Sequence, residues 1–131
     1  MTYGDGVSNV NINKLIKFHI SQNKIATLTA VKPEGRFGSI EISKNLITNF
    51  KEKKIENSSY VNGGFFILNK KIFKYLKSDQ TIFEEEPVKT LARQNNLVAF
   101  KHNGFWQPMD TIRDKNLLES LWISGAPWRI W

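Results

Sequence analysis

Between Asn11 and Gln22 the residues Ile12, Leu15, Ile16, His19 and Ile20 fall at i, i+3, i+4, i+7 and i+8. That spacing predicts one apolar face of an α-helix. His19 sits on the stripe, which favours a core histidine satisfied by a neighbour over a catalytic one. Ala26 to Val31 is apolar and β-branched and reads as a strand, broken by Pro33-Glu34-Gly35. Ile40 and Ile42 alternate with Ser39 and Glu41, predicting a half-exposed strand, and Leu46 to Phe50 is its hairpin partner across Lys44-Asn45. Glu52 to Tyr60 is polar and charged and reads as a loop. Val61-Asn62-Gly63-Gly64-Phe65-Phe66-Ile67-Leu68 is apolar almost without interruption, as a strand covered on both faces would be.

The remaining pattern is more helical. Lys70 to Lys77 carries Ile72, Phe73 and Leu76 on one side and predicts a short helix. Thr81 and Glu84 have capping-box spacing, but a helix begun there would hold Pro87 in its interior. Proline suits the first helical position, so the helix is expected from Glu86-Pro87 to Gln94, burying Val88, Leu91 and Ala92. Leu97 to Phe100 reads as a short strand. Thr111 caps a last helix, with Asp114 three residues on and a buried stripe of Leu117, Leu118, Leu121 and Trp122. Trp128 and Trp131 either dock on the body or form a partner surface. Alternating helices and strands with hairpin character predict an α/β sheet with an antiparallel component.

Composition narrows the chemistry. At 131 residues the chain is one domain or a piece of one, and the absence of cysteine excludes disulfides, zinc–thiolate sites and cysteine nucleophiles. No apolar run approaches the roughly 18 residues of a membrane span, and no signal pattern opens the chain, so the expectation is a cytoplasmic protein without a membrane partner. The formal charge of +7 admits a nucleic-acid interface. The lysines, however, stand singly or in pairs (Lys51, Lys53, Lys54, Lys70, Lys71, Lys74, Lys77), which favours a solvated surface with a few cations aimed at a small phosphate ligand.

Four clusters carry candidate chemistry. Asp5 stands between Gly4 and Gly6, and Asp110 follows Pro108. Brought together, two such carboxylates make a hard-oxygen site suited to magnesium holding phosphates. Glu52-Lys53 ends a strand, Asn62-Gly63-Gly64 opens another, and Arg36 precedes Phe37-Gly38. Each has a structural account as well: a tight Gly-Asp-Gly turn, a helix cap at Asp110, a surface ion pair, or close backbone packing at Gly63-Gly64. Phe105 and Trp106 read as core rather than as a base-stacking platform.

Taken in order, Tyr3-Gly4-Asp5-Gly6-Val7, Arg36-Phe37-Gly38, Phe50-x-Glu52-Lys53, Asn62-Gly63-Gly64-Phe65-Phe66 and Trp106-Gln107-Pro108-Met109-Asp110-Thr111 resemble the motifs of sugar-phosphate nucleotidyltransferases. Within that group they are most similar to the glucose-1-phosphate cytidylyltransferases. The resemblance implies a reaction of CTP with glucose 1-phosphate giving CDP-glucose and pyrophosphate, a step towards O-antigen and other surface polysaccharides. It implies Mg2+ held by Asp5 and Asp110, which with Lys53 form the catalytic set. Glu52 would accept hydrogen bonds from sugar hydroxyls, Lys53 would meet the sugar phosphate, and Gly38, Asn62 and Gly63 would line the sugar pocket. It also implies the C-terminal portion of a Rossmann-like fold, a mixed β-sheet flanked by helices, with residues 1–131 as its sugar- and metal-binding part.

Two departures qualify the likeness. Lys54 stands where the family has proline after Glu-Lys, and the glycine-rich triphosphate loop is not found ahead of Tyr3. The expectation is therefore a truncated or split enzyme with low activity alone, complemented by an N-terminal chain and homo-oligomeric in its full-length form. The alternative is a non-catalytic sugar-phosphate-binding or oligomerisation module.

Overall fold

The computed structural model describes residues 1–33, 39–51 and 60–130. In chain order the elements are β1 (Gly6–Ser8), α1 (Ile12–Gln22), β2 (Ala26–Val31), β3 (Ser39–Ser43), β4 (Leu46–Lys51), β5 (Val61–Leu68), a 3₁₀ helix (Lys70–Tyr75), α2 (Glu86–Arg93), β6 (Leu97–His102), β7 (Trp106–Pro108) and α3 (Ile112–Ile123). Five strands form one sheet in the order β3-β4-β6-β2-β5, and β1 and β7 form a second, two-stranded sheet. The β2–β6 pair is parallel, while β5, β4 and β3 join antiparallel. The expected mixed α/β sheet flanked by helices is what forms.

Strand β2 sits between two layers, and all six of its side chains are buried. Because successive residues point to opposite faces, Ala26, Leu28 and Ala30 enter the core with Val88 and Leu91 of α2, whereas Thr27 faces α1. There His19 places its Nδ1 2.8 Å from Thr27 Oγ1. The histidine on the apolar stripe is thus a core residue with a hydroxyl partner, and burial holds its imidazole pKa below the ordinary value. Local capping fixes the helix ends. Asn11 Oδ1 accepts the Lys14 N–H at 2.9 Å, and Asn23 closes α1 in the left-handed region at φ 50°.

Several predicted faces are narrower than their periodicity. In α1 only Leu15 and His19 are buried, and Ile12, Ile16 and Ile20 are exposed, Ile20 by 70%. One turn-spaced pair suffices to cover β2, and the second apolar row points away from it. In α3 only Leu118 is buried, while Leu117 and Trp122 are exposed. That helix packs against β7, whose three residues are too short to cover a full stripe. Trp122 instead stacks on Trp128 at 6.3 Å, and Trp128 lies 5.5 Å from Phe105, so this C-terminal tryptophan docks on the body. The Lys70 segment is a 3₁₀ helix, and with about three residues per turn it keeps Ile72 inward but leaves Phe73 71% exposed.

Strand β6 continues to His102, beyond the expected Phe100. The α2 start at Glu86-Pro87 is as expected, with Thr81 instead accepting the N–H groups of Lys77 and Ser78. No helix among the described residues is long and apolar enough to cross a membrane.

The His19 environment gives a signed pH dependence. The folded pKa is depressed, so the stabilisation is present above the unfolded value of about 6.5 and is lost as pH falls through it towards the folded value. Urea melts should show stability declining from pH 7.5 to pH 5, and the decline should be smaller in His19→Gln. Equal pH slopes for the two proteins would refute the assignment.

Candidate active site

The two aspartates are joined by the small sheet. Strands β1 and β7 pair antiparallel with Gly6 opposite Pro108, Val7 opposite Gln107 and Ser8 opposite Trp106. The Met109 N–H extends this ladder by donating to the Asp5 carbonyl at 2.6 Å. Asp5 and Asp110 therefore leave the same end of one ribbon, although 105 positions separate them (110 − 5). At the other end Ser8 Oγ donates to the Phe105 carbonyl at 2.7 Å, and His102 Nε2 lies 3.2 Å from both groups. Thr111 and Asp114 form the capping box of α3, and the Asp110 backbone adds a hydrogen bond to the Asp114 carboxylate, so the Asp110 side chain is not the helix cap.

The floor of the site is a bulge in β5. Between the pairs Leu28–Phe66 and Ala30–Asn62, β2 has one residue, Thr29, and β5 has three. The excess is absorbed at Gly63 and Gly64, the latter at φ 79°, a region open to glycine at little cost. A Cβ on Gly63 would lie 2.9 Å from Val31 Cγ1 and 3.0 Å from the Thr29 carbonyl oxygen. The Trp106 indole N–H donates to the Gly63 carbonyl at 2.8 Å and binds the ribbon to the main sheet. Tyr3 donates its backbone N–H to the Gly64 carbonyl at 2.9 Å, holding the chain just before Asp5 against the same bulge.

These contacts enclose a cleft of about 190 Å³ whose lining includes Asp5, Asp110, Asn62 and Gly63. Four of the residues singled out in the sequence are thus brought together; Gly38, Glu52 and Lys53 lie outside the described residues. The Gly-Asp-Gly run is not a turn requiring glycine, since neither Gly4 nor Gly6 has positive φ. The pair leaves space instead: nothing lies within 4 Å of a Cβ on Gly4, and Gly6 would meet only the Trp106 Nε1 at 3.9 Å.

Tyr3 and Trp106 also line the cleft, and both escaped the sequence reading as site residues. Trp106 is half-buried and anchors Gly63, so it serves the packing and borders the cleft at once. The signal for Tyr3 was its place in the same Tyr-Gly-Asp-Gly run. Burial pushes the Tyr3 phenol above its ordinary pKa, and the neighbouring Glu84 carboxylate adds to the shift.

The donor set is oxygen-rich and sparse. Among the described residues no group of three or more histidine, aspartate or glutamate side chains could hold a metal. Two carboxylates beside a bare glycine nevertheless suit Mg2+, which keeps several waters and takes its other ligands from substrate phosphates.

The nucleotidyl transferase family model matches residues 1–118. This chain belongs to that family. It is 50% identical over 131 residues to the glucose-1-phosphate cytidylyltransferases of Salmonella typhi and Salmonella typhimurium, the matches covering 99% of this chain and 51% of each relative. The chain therefore spans about half the length of these curated relatives. Among solved structures, HddC from Yersinia pseudotuberculosis superposes with a TM-score of 0.74 at 20% identity, over 87% of this chain and 50% of that one. That likeness shows a shared fold.

The bulge can be tested directly. Gly63→Ala presses a methyl against a backbone oxygen that cannot rotate away, and should lower stability by about 1–3 kcal/mol in urea melts. Gly4→Ala, with open space around it, should melt within about 0.5 kcal/mol of wild type. A Gly63→Ala protein as stable as wild type would show that the close approach is not required.

Proposed function

We propose that this chain supplies the sugar-phosphate and metal face of a glucose-1-phosphate cytidylyltransferase, which joins CTP and glucose 1-phosphate to give CDP-glucose and pyrophosphate in the cytoplasm. The observation that carries the reading is the convergence of Asp5, Asp110, Asn62 and Gly63 on one cleft. The identity to relatives bearing that name supports the choice of base and sugar.

In this reading an oxygen of the sugar phosphate attacks the α-phosphorus of CTP in line, and pyrophosphate leaves from the opposite side. The protein contributes positioning and charge neutralisation, and no covalent enzyme intermediate forms. Asp5 and Asp110 would hold Mg2+, which when bound would supply charge neutralisation to the phosphates. Asn62 and the Gly63 backbone hold the sugar, with Gly6 leaving room beside the carboxylates. By motif likeness Gly38 and Glu52 complete the sugar contacts, and Lys53 supplies a compact cation to the sugar phosphate.

A cleft of about 190 Å³ is smaller than the roughly 300–1,000 Å³ of ordinary ligand sites. This favours low turnover by the chain alone, with a further polypeptide completing the nucleotide side. A second reading, a non-catalytic sugar-phosphate-binding or oligomerisation module, is favoured by the exposed apolar row of Ile12, Ile16 and Ile20.

Calorimetry separates the two. Glucose 1-phosphate should bind this chain only with magnesium present, and Asp5→Asn or Asp110→Asn should each weaken binding by about tenfold or more. Binding that needs no magnesium and survives both substitutions would support the module instead. Pyrophosphate release from CTP and glucose 1-phosphate at the rate of a full-length cytidylyltransferase would overturn the low-turnover part.

A further inference from the structure

We propose that Glu84 is a positioning residue for Asn62, acting through the Tyr3 hydroxyl. Glu84 lies on the surface segment ahead of α2 and does not line the cleft. Its Oε1 accepts the Tyr3 hydroxyl proton, and the Tyr3 oxygen accepts an N–H from Asn62 Nδ2 at 3.0 Å. Asn62 Oδ1 in turn accepts the Gly64 N–H at 2.9 Å.

The direction of this chain is fixed from both ends. An ionised carboxylate only accepts, so it commits the hydroxyl proton to Glu84 and turns the oxygen lone pairs towards Asn62. A backbone N–H only donates, so the carbonyl side of the Asn62 amide must face Gly64. The amide therefore cannot flip without breaking a bond at each side. What remains for a ligand is one N–H donor and one carbonyl lone pair in known positions, the pair of functions a sugar hydroxyl needs. The bond to a charged acceptor is the stronger link of the chain.

Packing holds the relay in place. The Tyr3 ring lies 5.7 Å from the Phe66 ring, and Phe66 meets Phe83 edge-on at 5.5 Å. Phe83 is the residue before Glu84, so the acceptor and the phenol are anchored to the same buried aromatic.

The proposal rests on the reading of Asn62 as part of a sugar-phosphate pocket, and its test separates the two. The readouts on the 131-residue chain are the Asn62 side-chain amide signals by NMR and the calorimetric affinity for glucose 1-phosphate with magnesium. Glu84→Ala should shift the Asn62 signals, speed their exchange with solvent and weaken affinity about fivefold to tenfold, while thermal melts stay near wild type because the site is exposed. Tyr3→Phe should act in the same direction. Glu84→Gln, which keeps an acceptor oxygen, should restore most of both readouts. Unchanged Asn62 signals and affinity in Glu84→Ala would overturn the relay. If wild type binds no glucose 1-phosphate while Glu84→Ala still moves the Asn62 signals, the relay stands and the functional reading falls.

Discussion

At Gly63 the backbone of β5 comes so near to β2 that a single added carbon would sit 2.9 Å from Val31 Cγ1 and 3.0 Å from the Thr29 carbonyl oxygen. The cleft depends on that approach. The three-against-one bulge turns the Gly63 carbonyl to the Trp106 indole and the Gly64 carbonyl to the Tyr3 backbone, and these two bonds dock the β1–β7 ribbon onto the main sheet. Asp5 and Asp110 then face Asn62 across the same space. A larger residue at 63 would push β5, which carries Asn62, away from β2.

The bulge also borders one of the two buried side-chain polar atoms without a hydrogen-bond partner among the described residues, the other being Asn9 Oδ1 beside Gly104. Thr29, the lone residue opposite it, keeps its hydroxyl oxygen buried without a hydrogen-bond partner among the described residues. Asn62, at its mouth, is bonded on both sides of its amide. Strained or unsatisfied polar groups are costly in a core and tend to persist where function requires the geometry. Asn62 lines the cleft, while the Leu28 side of β2 is ordinary apolar packing against Val88 and Leu91.

Electrostatics follow the same division. The acidic cleft pair and the Tyr3–Glu84 link sit at the edge of the main sheet, and the depressed imidazole of His19 belongs to the layer under α1. The fold thus separates a pH-sensitive structural histidine from the carboxylates of the site.

Much of this was legible in single segments. The strand at Ala26–Val31, the helix start at Glu86-Pro87 and the Thr111–Asp114 cap follow from residue periodicity, proline chemistry and capping spacing, which are local. The motif residues Asp5, Asn62, Gly63 and Asp110 were identifiable one by one, and their likeness to a family named their chemistry. What the sequence by itself left open depends on partners far along the chain. Three-residue strands such as Gly6–Ser8 and Trp106–Pro108 carry no periodic signal, because each is stable only when paired with the other. Which rows of α1 and α3 are buried was likewise decided by the surface that each helix meets. Tertiary contact alone made Tyr3 the link between Glu84 and Asn62, since a hydrogen bond across 81 positions leaves no mark on local pattern.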